Sequence, residues 1–187
     1  MFYYEVDGEI RLKLVDPIKD SEQLLAITNR SRNYLREWLG WVDATNTVDD
    51  FIRYEKMMAE QFAERKALST LILYNGEAVG KMTINTINWS NKCAEIGYYL
   101  DEKFQGSGIM TRATKGMLDI AFEEFGVQKV EIRVAEKNQK SRQIPERLGF
   151  VKEGTIRNGE CINGVYHHIV VYGLLAEEWL GQESETF

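Results

Sequence analysis

Cysteine is scarce in this 187-residue chain: Cys93 and Cys161 are the only two, and they lie far apart. Two distant thiols exclude a disulfide scaffold and the clustered ligands of a zinc site, and they fit a reducing compartment, with both as core or strand residues. Long apolar runs are missing too. Nothing approaches the ~18 residues of a membrane span, and Met1-Phe2-Tyr3-Tyr4-Glu5-Val6-Asp7 has neither the basic segment nor the apolar stretch of a secretion signal. The expectation is a soluble, cytoplasmic protein with no membrane contact. Basic charge is in deficit: 23 Lys and Arg against 29 Asp and Glu leave a net charge of -6. That counts against direct nucleic-acid binding, which needs a basic patch to neutralise phosphates, and mildly favours a cationic amine as substrate. Internal repeats and low-complexity segments are absent. Length and a 44% hydrophobic composition read as one domain over residues 1–187.

What the chain does have is a glycine turn. Tyr98-Tyr99-Leu100-Asp101-Glu102-Lys103-Phe104-Gln105-Gly106-Ser107-Gly108-Ile109-Met110-Thr111 carries a strand-like run through two glycines into an amphipathic helix. Glycines allow close backbone approach, and a helix N-terminus offers unpaired N–H groups and a partial positive charge, so the natural guest is a phosphate or pyrophosphate. A P-loop requires a lysine after its second glycine, and Ile109-Met110-Thr111 has none. A dinucleotide fingerprint requires three glycines early in a chain, and this turn has two, past the middle.

The surrounding pattern is a mixed α/β one. Ile10–Leu14 alternates as a strand, and Asp20 or Ser21 is placed to cap a helix through Leu24, Leu25 and Ile27. Thr47 and Asp50 form a capping box ahead of Phe51, Tyr54, Met58 and Phe62 at helical spacing. Leu68–Tyr74 and Glu77–Ile87 flank Asn75-Gly76, a strong hairpin signal, and Cys93–Leu100 is the strand that ends at the glycine turn. The helix after the turn places Met110, Ala113, Met117, Leu118, Ala121, Phe122 and Phe125 on one stripe, with Arg112, Lys115, Asp119, Glu123 and Glu124 off it. Gly126 stops it, Lys129–Val134 alternates as a strand, and a short helix capped by Asn138 closes at Gly149.

Two motifs in this order resemble the GCN5-related N-acetyltransferase (GNAT) superfamily, and within it the RimJ/RimL-type ribosomal-protein N-acetyltransferases. The acetyl-CoA loop of that superfamily, Gln/Arg-x-x-Gly-x-Gly/Ala, matches Gln105 and Gly108, with Met110 in place of the last small residue. The pattern Asn-x-x-Ser…Leu-Gly-Phe…Glu-Gly matches Asn138, Ser141, Leu148, Gly149, Phe150, Glu153 and Gly154. The resemblance implies a GNAT fold: a mixed, mostly antiparallel central sheet flanked by helices, with the acetyl-CoA loop between strand 4 and helix 3. It implies that main-chain groups near Gln105, Gly106, Ser107, Gly108, Ile109, Met110 and Thr111 hold the CoA pyrophosphate. Tyr98, Tyr99 and Leu100 would pair with the pantetheine arm, and Asn138 would contact CoA. No metal is implied, and a homodimer is allowed.

Acetyl transfer from a thioester needs a neutral amine, donors for the oxyanion and a proton for the departing thiolate. Many members of the superfamily carry a tyrosine seven residues after the asparagine; here that position is Pro145, and the resemblance points to Ser141 as donor instead. As base it offers Glu160, in a turn-like segment, with Glu95 on the strand as rival. His168 stands where RimJ/RimL-type chains often have Asp, and His167 is placed to orient Glu160. Two adjacent strand histidines face opposite sides and make no metal pair. Tyr34, Trp38 and Trp41 are candidates to line an acceptor groove. An α-amino group is up to about a third neutral near neutral pH and a lysine only about one part in a thousand, so a weak or water-relayed base suits a protein or peptide amino terminus. The acceptor implied is thus an amino terminus, of a ribosomal protein by family analogy. The alternatives are a small-amine or antibiotic acetyltransferase and a non-catalytic acyl-CoA-binding regulatory domain.

Overall fold

A computed structural model of the chain describes residues 2–184, with side chains to residue 181; Met1 and residues 185–187 of the expected domain lie outside the described residues. Eight strands form one sheet: β1 (Tyr3–Glu5), β2 (Ile10–Leu14), β3 (Leu68–Tyr74), β4 (Glu77–Asn88), β5 (Cys93–Leu100), β6 (Lys129–Ala135), β7 (Val151–Ile162) and β8 (Val165–Leu175). Their order is β1-β2-β3-β4-β5-β6-β8-β7, and only β5 with β6 is parallel. Between strands run α1 (Ser21–Arg30), α2 (Arg32–Leu35), α3 (Val48–Ala63), α4 (Ile109–Asp119), α5 (Gln139–Arg147) and α6 (Ala176–Ser184). This is the mixed, mostly antiparallel α/β sheet that the motifs imply. The glycine turn follows the fifth strand and precedes the fourth helix, because edge strand β1 and the single-turn α2 each add one to the count. Among the described residues no helix is long and apolar enough to cross a membrane.

Local chemistry explains the elements. Asn75 and Gly76 both take positive φ, 49° and 83°, as the tight β3–β4 hairpin requires. Thr47 and Asp50 exchange the reciprocal bonds of a capping box at α3. At α1 the expected cap is a different device. Asp20 makes no side-chain cap bond; its carboxylate instead takes the buried Lys13 ammonium and the Asp16 N–H.

Alternate strand residues feed two cores. On one face α4 and Trp179 of α6 cover Ile10, Leu12, Met82, Ile96, Ile132 and Tyr172. On the other, Leu24 and Ile27 of α1 and Phe51 of α3 cover Val15 and Leu71. The second core is small, and buried ion pairs supplement it: Lys13 with Asp20, and Lys81 with Glu55, which also accepts from Ser69 Oγ at 2.7 Å.

Asp119, expected on the solvent side of α4, is instead a junction. Its carboxylate accepts from Tyr4 Oη (3.2 Å) and Trp179 Nε1 (2.8 Å), so both ends of the described chain close over α4 just before it widens into a π-helical turn, Ile120–Phe125. Arg112 of α4 likewise grips the β1–β2 turn through Asp7 at 2.7 and 2.8 Å. The guanidinium holds the Asp7 carboxyl below the usual carboxylate range despite an opposing effect of burial. This stabilisation is therefore full above the unfolded pKa of about 4 and is lost as pH falls through the lower folded value. The pair is a third exposed, so Asp7→Asn is expected to lower the thermal midpoint at neutral pH by only about 2–4 °C. Calorimetry across pH should show the gap closing below about pH 3; an unchanged gap in acid would contradict this assignment.

Candidate active site

The site is an interruption of the sheet. β5 and β6 pair from Cys93↔Lys129 to Ile96↔Ile132 and then part, because β5 follows β4 up to Leu100↔Gly80 while β6 follows β8 up to Ala135↔Ile169. At the point of parting, Asn85 is bulged out of β4 and its side-chain amide lies 2.9 Å from where a Cβ on residue 97 would stand, so Gly97 lets that amide lie against the β5 main chain and any larger residue would displace it. The main chain of residues 97–100 thus borders a cleft of about 850 Å³ instead of a strand. Backbone donors and acceptors left on such an edge can pair with an extended amide-bearing chain.

One end of the cleft is the glycine turn. Gly106 and Gly108 take φ of 80° and 76°, which no side chain adopts without strain, and the first helix-closing bond of α4 runs from Arg112 N–H to Gly108 C=O. The N–H groups of 109–111 therefore point out of the helix end. The turn is held from behind by Asp101, whose buried carboxylate takes Arg30 Nε (2.6 Å) and Ser31 Oγ (3.1 Å), while Ser31 Oγ accepts from Glu102 N–H. Met110, in the position usually small, is buried in the main core. Lys140 of α5 crosses to Gln105 Oε1 at 2.9 Å and lies over the Tyr34 ring, 5.1 Å away. A cation from another helix is thereby delivered beside the two glycines.

The other end carries the carboxylates. Glu95 lies 3.4 Å from Arg133 and accepts from Asn85 Nδ2 at 3.4 Å. Glu160 is exposed, and it stands on β7 where a turn was expected. Two extra residues bulge the strand between Ile156 and Glu160, and His168 Nδ1 accepts the Asn158 N–H at 3.0 Å to fix the bulge. His168 is thus structural. His167 faces Glu160 across the β7–β8 pair and packs edge-on against Trp38 at 5.9 Å. Asn163 at the hairpin tip donates to the Arg36 carbonyl, so hairpin and α2 turn form one arch over the cleft.

Ser141 lies midway, in the first turn of α5, its N–H bonded to the Asn138 cap. The cleft brings together Ser141, Glu95, Glu160, Tyr98, Tyr99, Leu100, Gln105, Gly106, Gly108, Ile109, Met110, Thr111, Asn138, Tyr34 and Trp38. The side chains of Trp41 and Ser107 do not line it. Trp41 packs against Phe51 and Tyr99 at 6.2 and 5.5 Å, filling the small second core, because the chain turns inward at the buried Val42. Ser107 turns its hydroxyl back onto the Phe104 carbonyl at 2.7 Å, bracing the turn from outside. Asn85, Arg133 and Lys140 line the cleft and escaped sequence reading; only Lys140, inside the Asn-x-x-Ser motif, had a local signal.

Residues 11–151 match the acetyltransferase (GNAT) domain family. The chain belongs to that family. A putative ribosomal N-acetyltransferase, YdaF, of Bacillus subtilis (strain 168) is 34% identical over 98% of this chain and 100% of its own. The solved microcin C7 self-immunity acetyltransferase MccE, in complex with acetyl-CoA and AMP, is 29% identical with a TM-score of 0.85 over 91% of this chain and 94% of its own. A ribosomal L7/L12 alpha-N-protein acetyltransferase, RimL, in complex with coenzyme A shares the fold at a TM-score of 0.91 and 24% identity, covering 95% of this chain and 99% of its own. The split between β5 and β6 therefore lies within the matched GNAT domain.

Proposed function

We propose that this GNAT protein, acting as one domain, transfers acetyl from acetyl-CoA to the α-amino group of a protein, with a ribosomal protein as acceptor, by direct attack within a ternary complex. The observation that carries the reading is the continuous cleft, lined by the glycine turn, the carboxylates of Glu95 and Glu160, and Ser141 between. The CoA pyrophosphate lies on the N–H groups of 106–111 with Lys140 alongside, and the pantetheine amides pair with the open edge of β5. This places the thioester near Ser141, whose hydroxyl gives its proton to the departing thiolate.

The amine enters beneath the arch of Trp38 and His167, beside Glu160. Glu95 is already paired with Arg133 and Asn85, which leaves Glu160 as the freer acceptor for the ammonium proton, directly or through water. An α-amino group asks little of such a base, since a substantial share is neutral near neutral pH, and holding it against the thioester supplies much of the rate. The ribosomal acceptor rests on the relative at 34% identity. Mass spectrometry of cellular protein N-termini, with and without this protein, tests it: one or a few ribosomal termini are expected to lose acetylation. If no terminus changes, acetylation of a small amine replaces this reading.

A further inference from the structure

Pro145 sits where many members of the superfamily carry a phenol, yet a phenol reaches the same helix. Tyr98 of β5 donates its hydroxyl to the Ser141 carbonyl at 3.1 Å, and Ser141 Oγ lies 3.5 Å from the phenol oxygen, placed to donate to it. In a regular helix that carbonyl would accept the N–H of residue 145, and a proline has none. An unpaired carbonyl at the wall of a partly buried cleft is costly, and the phenol satisfies it. Ser141 is consequently held at three points: its N–H on Asn138, its carbonyl under Tyr98, and its hydroxyl within reach of the same phenol.

We infer that Tyr98 is a positioning residue for acetyl transfer: it replaces the helix bond that Pro145 removes, fixing Ser141 where its hydroxyl meets the departing sulfur. The inference rests on the reading of Ser141 as proton donor. In the resting site the Ser141 proton points to the phenol oxygen and the phenol proton to the carbonyl. As the C–S bond breaks, the Ser141 O–H turns to sulfur and passes its proton there, and the proton lost by the attacking amine returns to the Ser141 oxygen through water, so that thiol, amide and serine hydroxyl are all left neutral. The phenol remains on the carbonyl, so the backbone does not follow the rotation. Burial pushes the phenol pKa upward, which keeps it a hydrogen-bond donor throughout the working pH range.

The test is steady-state kinetics of thiol release with an amino-terminal peptide as acceptor, on Tyr98→Phe, Ser141→Ala, their double variant, and Tyr98→Phe with Pro145→Ala. Phe keeps the ring, and so the packing of β5, while losing the donor. Tyr98→Phe is expected to lower kcat about tenfold with the acetyl-CoA KM within about twofold. The double variant with Ser141→Ala should be no slower than Ser141→Ala alone, since both act through one hydroxyl. Pro145→Ala supplies the missing N–H to the Ser141 carbonyl and should return most of the activity lost in Tyr98→Phe, a rescue that general loosening of the fold would not produce. Losses that multiply in the double variant, a Tyr98→Phe defect confined to KM, or no rescue by Pro145→Ala would overturn the inference. Ser141→Ala at the parent rate would instead sink the donor reading, whereas a slow Ser141→Ala beside an unimpaired Tyr98→Phe would sink only the role given to Tyr98.

Discussion

Ser141→Ala is expected to lower kcat about a hundredfold while the acetyl-CoA KM changes by less than about threefold. Ser141 lines the cleft between the glycine turn and the carboxylates, and a group used only as the C–S bond breaks contributes to the transition state and little to ground-state binding. The cofactor is proposed to be held by main-chain N–H groups of the glycine turn, and this substitution leaves them in place. Asn138 still caps α5 through the residue 141 N–H, so the helix is retained. Initial rates at varied acetyl-CoA and saturating peptide separate the two terms. A raised KM with normal kcat would make Ser141 a binding residue and leave the thiolate to be protonated by water.

Glu55→Ala has the largest effect expected on stability, about 3–5 kcal/mol, because it leaves Lys81 buried without its counter-charge. Glu55 is 1% exposed and Lys81 5%, and the carboxylate is also the acceptor for Ser69 Oγ. Burial lowers the Lys81 pKa even with Glu55 present, against the pull of that carboxylate. With Glu55 removed, only the lowering remains of the two. The unfolded lysine then binds protons that the folded one has lost, so the variant should regain stability as pH rises from neutral toward about 10. Glu55→Gln, which keeps polar partners for Ser69 and Lys81, should lose less. Denaturant unfolding at several pH values measures this; a loss below about 1 kcal/mol would mean that water reaches the pair. The same cluster ties α3 to β3 through Ser69 and to β4 through Lys81.

Much of this architecture could be read where the signal is local. Asn75-Gly76, the Thr47–Asp50 capping box and the glycine turn each place a backbone constraint within a few residues, and each forms as expected. Elements defined by distant contacts were less legible. β7 is exposed along nearly its whole length, so the alternation that marks a half-buried strand is missing, and Glu160 read as a turn residue. Trp38 and Trp41 stand one helical turn apart in similar company, yet one lines the cleft and the other fills the second core; the spacing alone does not distinguish the two faces. Tyr98 meets Ser141 across 43 positions and Lys140 meets Gln105 across 35. Position 145 correctly excluded a phenol from α5 and could not reveal the one that β5 brings to it. The π-helical turn after Asp119 had no sequence signal.

Acetyl-CoA presented together with a peptide bearing a free α-amino group and one internal lysine tests the central claim most directly. Thiol release is followed while tandem mass spectrometry locates the acetyl group, with the α-acetylated peptide as control. The account predicts thiol release matched by one acetyl group on the α-nitrogen and none from the control. Acetylation of the lysine side chain instead, or no release above hydrolysis with either peptide, would contradict it.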